Sequence, residues 1–384
     1  MSIISGMDAT QIAALTTDQI KNLKQADFRA MKTDQIGALS SAQIKAIETE
    51  DFVVLSANQI AAFDASKFAD GVLTYIDKVT LSQVKGLTTA QVAALGTKAI
   101  QDLTSDQVKS LNNAQLGAMT STQIAAIETN DLVAMTAAQI KGFSTDNIAA
   151  LSTTQVEKLT NTQLAALSTD QVKAIETADL AKLSSSQFGA LTANQIKALT
   201  TTQIDKLGTD QIAGLKAPQI AALTTDQISK LSTANIAAFD SVQIKSLTAA
   251  QLGQMTSAQI AAIETEDLVA MTAAQIKGFS TDNIAALSTT QVEKLTNTQL
   301  AALSTDQVKA IETADLAKLS SSQFGALTAN QIKALTTTQI DKLGTDQIAG
   351  LKAPQIAALT TDQISKLSTA NIAAFDSVQI KSLT

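Results

Sequence analysis

The chain contains no cysteine and no histidine, and these two absences remove much of enzyme chemistry. Without cysteine there is neither a disulfide framework nor a thiol nucleophile. Without histidine, the commonest general base and the commonest transition-metal ligand are missing as well. The sequence also has no phosphate-binding loop and no dinucleotide fingerprint. It therefore predicts a protein that is not an enzyme, with no catalytic residue and no cofactor.

Aromatic residues are scarce, at 3% of the chain, and there is no tryptophan. Hydrophobic residues nevertheless make up 45% of the 384 residues, which is too many for a typical disordered polar segment. These figures predict a thin core built from Ile, Leu and Ala. No apolar run approaches the roughly 20 residues of a membrane span, so we expect no membrane insertion.

The formal net charge is −7 at pH 7. A basic patch able to attract nucleic acid or an anionic membrane is therefore not expected. The simpler interpretation is that the negative charge keeps the protein soluble. The N-terminal stretch "MSIISGMDATQIAAL" lacks a basic segment followed by an apolar run, so no cleavable signal peptide is expected there.

One eight-residue unit repeats along the chain without insertion, and "TTDQIKNL" at residues 16–23 shows its parts. The 384 residues divide into 48 such octads. The isoleucine position, named after Ile20, is Ile, Val, Leu or Phe in all 48, and the leucine position, named after Leu23, is apolar in 47. The glutamine position, named after Gln19, is Gln in 34. These frequencies predict that the octad is the structural unit.

A longer segment of the chain is also duplicated: residues 123–248 recur as residues 259–384 with one difference, Asn130 in the first copy and Glu266 in the second. The offset of 136 residues is 17 octads. We predict a single continuous array over residues 1–384, with one irregular stretch at 63–79. That stretch has Gly71 at a leucine position and Tyr75 at a glutamine position. We interpret it as a degenerate repeat; a kink, a hinge or a contact point are the alternatives.

Each octad carries its own signal for starting a helix. Thr16 and Gln19 have the spacing of a capping box, in which the two residues satisfy each other's backbone N–H groups. One continuous helix would rotate the apolar pair by about 80° per octad, so no apolar face could form. Pro218 and Pro354 fall in the first turn of their octads, where a missing N–H costs little. The predicted fold is all-α: a solenoid or superhelix of very short helices, one per octad.

Five octads of the form "IETxD" have Glu at the cap position, named after Thr16, and Asp at the glutamine position. The favoured interpretation is a cap moved by one residue onto the following Thr (49, 129, 177, 265 and 313), with acids at the helix start. The alternative is a calcium site between coils. The candidate calcium ligands are Glu48, Asp51, Glu128, Asp131, Glu176, Asp179, Glu264, Asp267, Glu312 and Asp315.

The glutamines at equivalent positions allow three interpretations. Capping of each octad's own helix is favoured. Amide ladders along the solenoid, or a binding face for another chain, are the alternatives.

The run "LTTAQVAALGTKAIQDLTSDQVKSL" at residues 87–111 resembles octad arrays of very large bacterial secreted or surface proteins, described as adhesins or haem-utilisation proteins. The resemblance covers the whole chain and implies an extracellular stalk, adhesin or filament. The chain departs from that pattern in having no adhesive head and no glycine-rich calcium repeats. The absence of histidine and the single tyrosine argue against a haem role.

The sequence as a whole predicts a structural extracellular or cell-surface protein that forms a rod and self-assembles into a filament or matrix. Its main partner is then another copy of itself. The alternative is an adhesin stalk or binding module that presents a repeated face to a protein or glycan.

Overall fold

The computed structural model describes residues 4–68 and 75–384, and all regular structure within them is helical. It comprises 45 α-helices of four to six residues and two 3₁₀-helices, Ala65–Phe68 and Ile76–Lys78. No helix in the described ranges is long and apolar enough to cross a membrane. The predicted all-α array of very short helices is confirmed.

Contacts group the helices into two units, Met1–Leu191 and Thr192–Thr384. In the first unit, α1 to α21 are Ala9–Ala13, Thr17–Lys21, Gln25–Ala30, Thr33–Ala38, Ser41–Ala46, Thr49–Phe52, Ala57–Ala62, Leu81–Gly86, Thr89–Ala94, Thr97–Asp102, Ser105–Ser110, Asn113–Gly117, Ser121–Ala126, Thr129–Ala134, Ala137–Lys141, Thr145–Ala149, Thr153–Lys158, Asn161–Ala166, Thr169–Ala174, Thr177–Leu180 and Ser185–Phe188. In the second unit, α22 to α45 are Ala193–Ala198, Thr201–Asp205, Thr209–Ala213, Ala217–Ala222, Thr225–Lys230, Thr233–Ala237, Ser241–Ser246, Ala249–Gly253, Ser257–Ala261, Thr265–Ala270, Ala273–Lys277, Thr281–Ala285, Thr289–Lys294, Asn297–Ala302, Thr305–Ala310, Thr313–Leu316, Ser321–Phe324, Ala329–Ala334, Thr337–Asp341, Thr345–Ala349, Ala353–Ala357, Thr361–Ile364, Thr369–Ala373 and Ser377–Lys381.

The predicted capping box starts most of these helices. In α2, the Gln19 N–H donates to Thr16 Oγ1 at 3.2 Å, and the Thr16 N–H donates to Gln19 Oε1 at 2.8 Å. Pro218 and Pro354 lie in the first turns of α25 and α42, as expected for a residue without an N–H. Each helix ends within six residues, and an extended leucine-position residue such as Leu95 commonly leads to the next cap.

Within each unit the octads wind into a coil. Helices three octads apart pack on each other, as α1 does on α4 and α22 on α25. Hydrogen bonds join octads that lie four apart, as described below. One turn of the coil therefore contains between three and four octads. The prediction of one continuous array over residues 1–384 stays a prediction.

The core of each unit is the stack of isoleucine and leucine positions. Ile124 and Ile260 are 0% exposed, and Leu95 and Leu231 are 4% and 3% exposed. Small residues let the turns come close. A Cβ added at Gly278 would lie only 2.6 Å from the Ala249 Cβ. The end of α32, which Gly278 caps, therefore approaches the start of α29 nearly to backbone contact.

The structure departs from the sequence-based expectation in the "IETxD" octads, and it describes only part of the irregular stretch. The "IETxD" octads do not move their cap onto threonine, because their helices begin at the usual octad position, with Glu as N-cap and no side-chain cap hydrogen bond. Burial of the isoleucine and leucine positions fixes the helix start even where the cap side chain is unsuitable. In the irregular stretch, Phe63, Phe68 and Ile76 remain buried beside the 3₁₀-helices, while Gly71 lies outside the described residues.

Candidate functional site

The glutamine position is the main polar feature of the interior, and Gln251 shows its geometry. Its Oε1 accepts from the N–H of its own cap residue, Thr248, at 2.7 Å. Its Nε2 donates to the carbonyl oxygens of Ile220 at 2.9 Å and Leu223 at 2.7 Å, both in the octad four positions earlier. The side chain is 2% exposed. One amide thus caps its own helix and ties it to the preceding turn.

We call a residue with this pair of bonds an inter-turn glutamine. Its acceptors are always the carbonyls 31 and 28 residues earlier, at the isoleucine and leucine positions. The described inter-turn glutamines are Gln35, Gln43, Gln59, Gln83, Gln91, Gln107, Gln115, Gln123, Gln139, Gln155, Gln163 and Gln171 in the first unit, and Gln227, Gln243, Gln251, Gln259, Gln275, Gln291, Gln299, Gln307, Gln331, Gln339, Gln355, Gln363 and Gln379 in the second.

Very short helices make these bonds necessary. Each helix leaves carbonyl groups at its C-terminal end without intrahelical donors, and here those carbonyls lie between packed turns. A buried carbonyl without a donor costs free energy comparable to a lost hydrogen bond. The isoleucine-position carbonyl already accepts from the leucine-position N–H of its own octad, as Ile220 does from Leu223 at 3.2 Å, so Nε2 is its second donor. The leucine-position carbonyl, such as that of Leu223, gains a donor from Nε2, so one side chain serves the ends of two helices.

The capping interpretation explained only the Oε1 half of this arrangement. The signal that would have revealed the Nε2 half is present in the sequence: Glu never occupies the glutamine position, although Glu serves a capping box as well as Gln does. A carboxylate can accept from the cap but cannot donate to a carbonyl. The exclusion of Glu therefore indicates a donor requirement.

Two of the residue types that replace Gln at this position, Asn and Lys, keep a donor to the preceding turn. Asn147, one methylene shorter, donates to the carbonyl of Met119, 28 residues earlier, at 2.8 Å. Lys67, in the irregular stretch, donates from Nζ to the carbonyl of Gly37 at 2.8 Å.

Aspartate at the glutamine position makes a different inter-turn bond. The hydroxyl of Thr153, 26 residues earlier, donates to Asp179 Oδ1 at 2.5 Å, and the duplicated pair, Thr289 and Asp315, is joined at 2.6 Å. Ser105 bonds Asp131 and Ser241 bonds Asp267 in the same way, each at 2.5 Å. Asp51 has Gln25 at the corresponding place and is only half-buried.

The ten candidate calcium ligands differ in how far their side chains are buried. The five Glu residues are exposed, whereas four of the five Asp residues are buried and accept from a hydroxyl of the preceding turn. Burial, together with the neighbouring carboxylates of Glu48 and Glu50, raises the pKa of Asp51. Across the described residues no group of three or more acidic side chains is placed to hold a metal ion. Calcium binding by these pairs stays a prediction.

The irregular stretch contributes an aromatic cluster. The ring of Tyr75 meets that of Phe52 edge-on at 5.3 Å between centroids, and Phe52 stacks on Phe63 at 5.9 Å. The Tyr75 hydroxyl is buried and lacks a hydrogen-bond partner within the described part of the chain. Burial raises the pKa of this phenol above its usual value.

The ALTTAQ repeat family matches residues 81–113, 124–161, 172–209, 204–233, 260–297, 308–345, 332–361 and 340–369, together more than half of the chain. The chain belongs to the ALTTAQ repeat family. This result confirms the octad-repeat prediction. No curated protein matches the chain.

Solved structures give only remote similarity to this ALTTAQ repeat protein. One is described as "Structure of APUM23-GGAAUUGACGG", with 9% identity, a TM-score of 0.19, and coverage of 98% of this chain and 93% of the other. Another, "Structure of APUM23-GGAUUUGACGG", has 9% identity and a TM-score of 0.20, with 99% and 92% coverage.

Replacing an inter-turn glutamine tests the two halves of its amide. We expect Gln251→Ala to lower the free energy of unfolding by about 2–4 kcal/mol, because each buried group left without a partner costs about 1–3 kcal/mol. Gln251→Glu keeps the cap acceptor and loses the donor, so it should cost at least as much. Urea unfolding followed by circular dichroism gives the values.

The control is Gln254→Ala in the same octad, an exposed position where we expect a change within about 0.5 kcal/mol. If Gln251→Glu were as stable as the wild type, the inter-turn donor would have no energetic role.

A double-mutant cycle tests the threonine–aspartate pair. Thr153→Val should lower the free energy of unfolding by about 1.5–3 kcal/mol, because a hydrogen bond to a charged group is lost. In the Asp179→Gln background, an inter-turn glutamine replaces the acceptor and the same change should cost little. The cycle at Thr289 and Asp315 should give an equal coupling, because the copies are identical around both pairs. Unequal couplings would contradict this assignment.

The buried phenol predicts a pH dependence above pH 10. Unfolded tyrosine ionises near pH 10 while folded Tyr75 stays protonated, so the folded state loses stability as the pH rises beyond that value. Tyr75→Phe should be more stable than the wild type by about 1 kcal/mol at pH 8, because an unpaired hydroxyl is removed. The advantage should grow between pH 10 and 11 in urea unfolding, and a constant advantage would contradict burial of the phenol.

Calcium gives a further comparison. If the acids of the "IETxD" octads bind no calcium, the urea midpoint should be the same in calcium chloride and in EDTA. A higher midpoint in calcium that disappears in the Asp179→Asn and Asp315→Asn double variant would instead establish the calcium sites.

Proposed function

We propose that this ALTTAQ repeat protein is a structural extracellular or cell-surface protein that forms a rod and self-assembles into a filament or matrix. The observation that carries the proposal is the inter-turn glutamine, which recurs through both units with the same acceptors. The polar groups of the interior hold successive turns together. In the part of the chain that the structure describes, they are distributed along both units and do not converge on one place, as the groups of a catalytic site would.

The surface supports the same proposal. Exposed positions repeat with the octad and carry mainly Ser, Thr, Asp, Lys and Ala, as in "STDQVKAI". Few exposed side chains of the described residues are large and apolar, and Val133 and Val242 are two of them. A repeated polar surface suits a spacer whose length is its function.

The resemblance to arrays in bacterial surface proteins favours a location outside the cell. An adhesin stalk or a binding module for a protein or glycan is the second candidate, supported by the same repeated outer face. Protease treatment of intact source cells should remove the chain if it lies at the surface. Protection until the cells are lysed would contradict that location.

Whole-octad deletion tests the rod. Removing residues 123–258 joins residue 122 to residue 259. The octad at this junction has the same sequence as residues 120–127, because residues 259 onward repeat residues 123 onward. It leaves 31 octads, since 17 of 48 are removed. We expect the longest dimension in small-angle X-ray scattering to shorten in that proportion.

The matched control removes residues 123–254, four fewer, and so breaks the octad phase at the junction. This variant should lose helical signal in circular dichroism. A length that does not follow octad number in the 123–258 deletion would overturn the rod.

A further inference from the structure

In the described part of each unit, a turn of the coil is held by the turns beside it. Helix pairs in close contact lie three octads apart, as α10 and α13 do in the first unit and α36 and α39 in the second. The side-chain hydrogen bonds between turns have a similar reach. Gln25 donates to the Glu50 carbonyl 25 residues later, at 3.1 Å. Gln251 donates to the Ile220 carbonyl 31 residues earlier, at 2.9 Å. Stability is therefore built up from contacts between neighbouring turns, as in other repeat folds.

Covalent links and ion pairs add little between turns. The chain has no cysteine, so no disulfide can fasten one turn to another. Five ion pairs of the described residues join residues within four positions of each other. Lys21 and Glu48 form a pair between two turns, at 3.8 Å, but both side chains are more than half exposed. Exposed pairs of this kind contribute little to stability.

An octad that leaves the coil loses its helix. Helices of four to six residues are too short to be stable alone, so their order depends on the neighbouring turns. A helix of six residues is about 9 Å long. Once extended, the eight residues of an octad span up to about 29 Å. Release of an octad therefore lengthens the chain without breaking a covalent bond.

Successive turns are held by nearly the same hydrogen bonds. Gln139 bonds the carbonyls of Val108 and Leu111 at 3.1 and 3.0 Å. Its copy, Gln275, bonds the carbonyls at the same octad positions in the second unit at 3.0 and 2.9 Å. Because similar contacts recur from turn to turn, we expect tension to open one turn at a time and to leave the remaining turns ordered.

A released octad also carries what it needs to return to the coil. Its capping box starts the helix again, as Thr256 and Gln259 do. Its Nε2 group then has acceptors 31 and 28 residues earlier, on a turn that is still folded. These separations are short beside the 384 residues of the chain, and contacts of short sequence separation form fast.

We propose that the coil is an extensible element, which releases octads under tension and takes them back when the tension falls. This inference rests on the proposed structural function and adds a mechanical role to it. Because the turns open at similar forces, the length of such a stalk or filament increases while the force stays nearly constant. The chain then limits the force transmitted between the points that it connects.

Stretching single molecules of the full chain between two terminal handles tests the proposal. One turn contains fewer than four octads, so we expect small length increments of at most about 110 Å each. The same series of increments should return after relaxation and a second stretch. If a whole unit opened at once, the 191 residues of Met1–Leu191 alone would release about 600 Å in a single step.

Gln251→Glu tests whether the turns open separately. The substitution removes the donor to the Ile220 and Leu223 carbonyls and so weakens one contact of the second unit. We expect a few increments to move to lower force while the others keep their wild-type force. The control, Gln254→Glu, makes the same charge change at an exposed position of the same octad and should leave every increment unchanged. Circular dichroism checks that both variants are folded.

Three outcomes would overturn the extensible element. A wild-type unit that opens in one step would show that its turns act together, and so would a Gln251→Glu variant whose whole second unit opens at lower force. A chain that does not recover its increments after relaxation would show that released octads do not return. The rod is judged separately, by the length of the 123–258 deletion.

Discussion

The amide of the inter-turn glutamine is the interaction on which the rest of the structure depends, because helices of four to six residues cannot be stable alone. Each such helix needs its ends satisfied and its apolar pair covered. Gln91 supplies hydrogen bonds to the ends of two helices. Its Oε1 accepts from the N-cap of its own helix, and its Nε2 donates to the carbonyls of Ile60 and Phe63 at the C-terminal end of a helix in the preceding turn. Because those acceptors lie between packed turns, the bond and the apolar burial form together.

The acceptors are backbone groups, and this explains how octads can be copied freely. Gln123 bonds the carbonyls of Val92 and Leu95 at 2.8 and 2.6 Å. Its copy, Gln259, bonds those of Ile228 and Leu231 at 2.8 and 2.7 Å, although Ile228 stands where Val92 stood. Any insertion or deletion of whole octads keeps the offsets of 31 and 28 residues. A 17-octad duplication therefore preserves every bond type without matching mutations elsewhere.

Much of this architecture was predictable from the sequence, because its determinants are local. The capping box at Thr16, the position of Pro218 and the apolar pair at Ile20 and Leu23 each act within one octad, and together they specify short helices. The number of octads per turn was not predictable, since it depends on how closely helices such as that of Gly278 approach their neighbours. The cap at Glu176 was mispredicted because tertiary burial, and not the cap side chain, sets the helix start.

The bond between Asp179 and Thr153 was missed for a related reason: its partners are 26 residues apart and become neighbours only once the turn is known. The same geometry gives the coil its direction. Inter-turn glutamines donate to carbonyls of the preceding turn, whereas the Thr153 hydroxyl donates to Asp179 of the following turn. Both bonds have fixed sequence offsets, so the insertion of whole octads adds turns and leaves the existing contacts between turns unchanged.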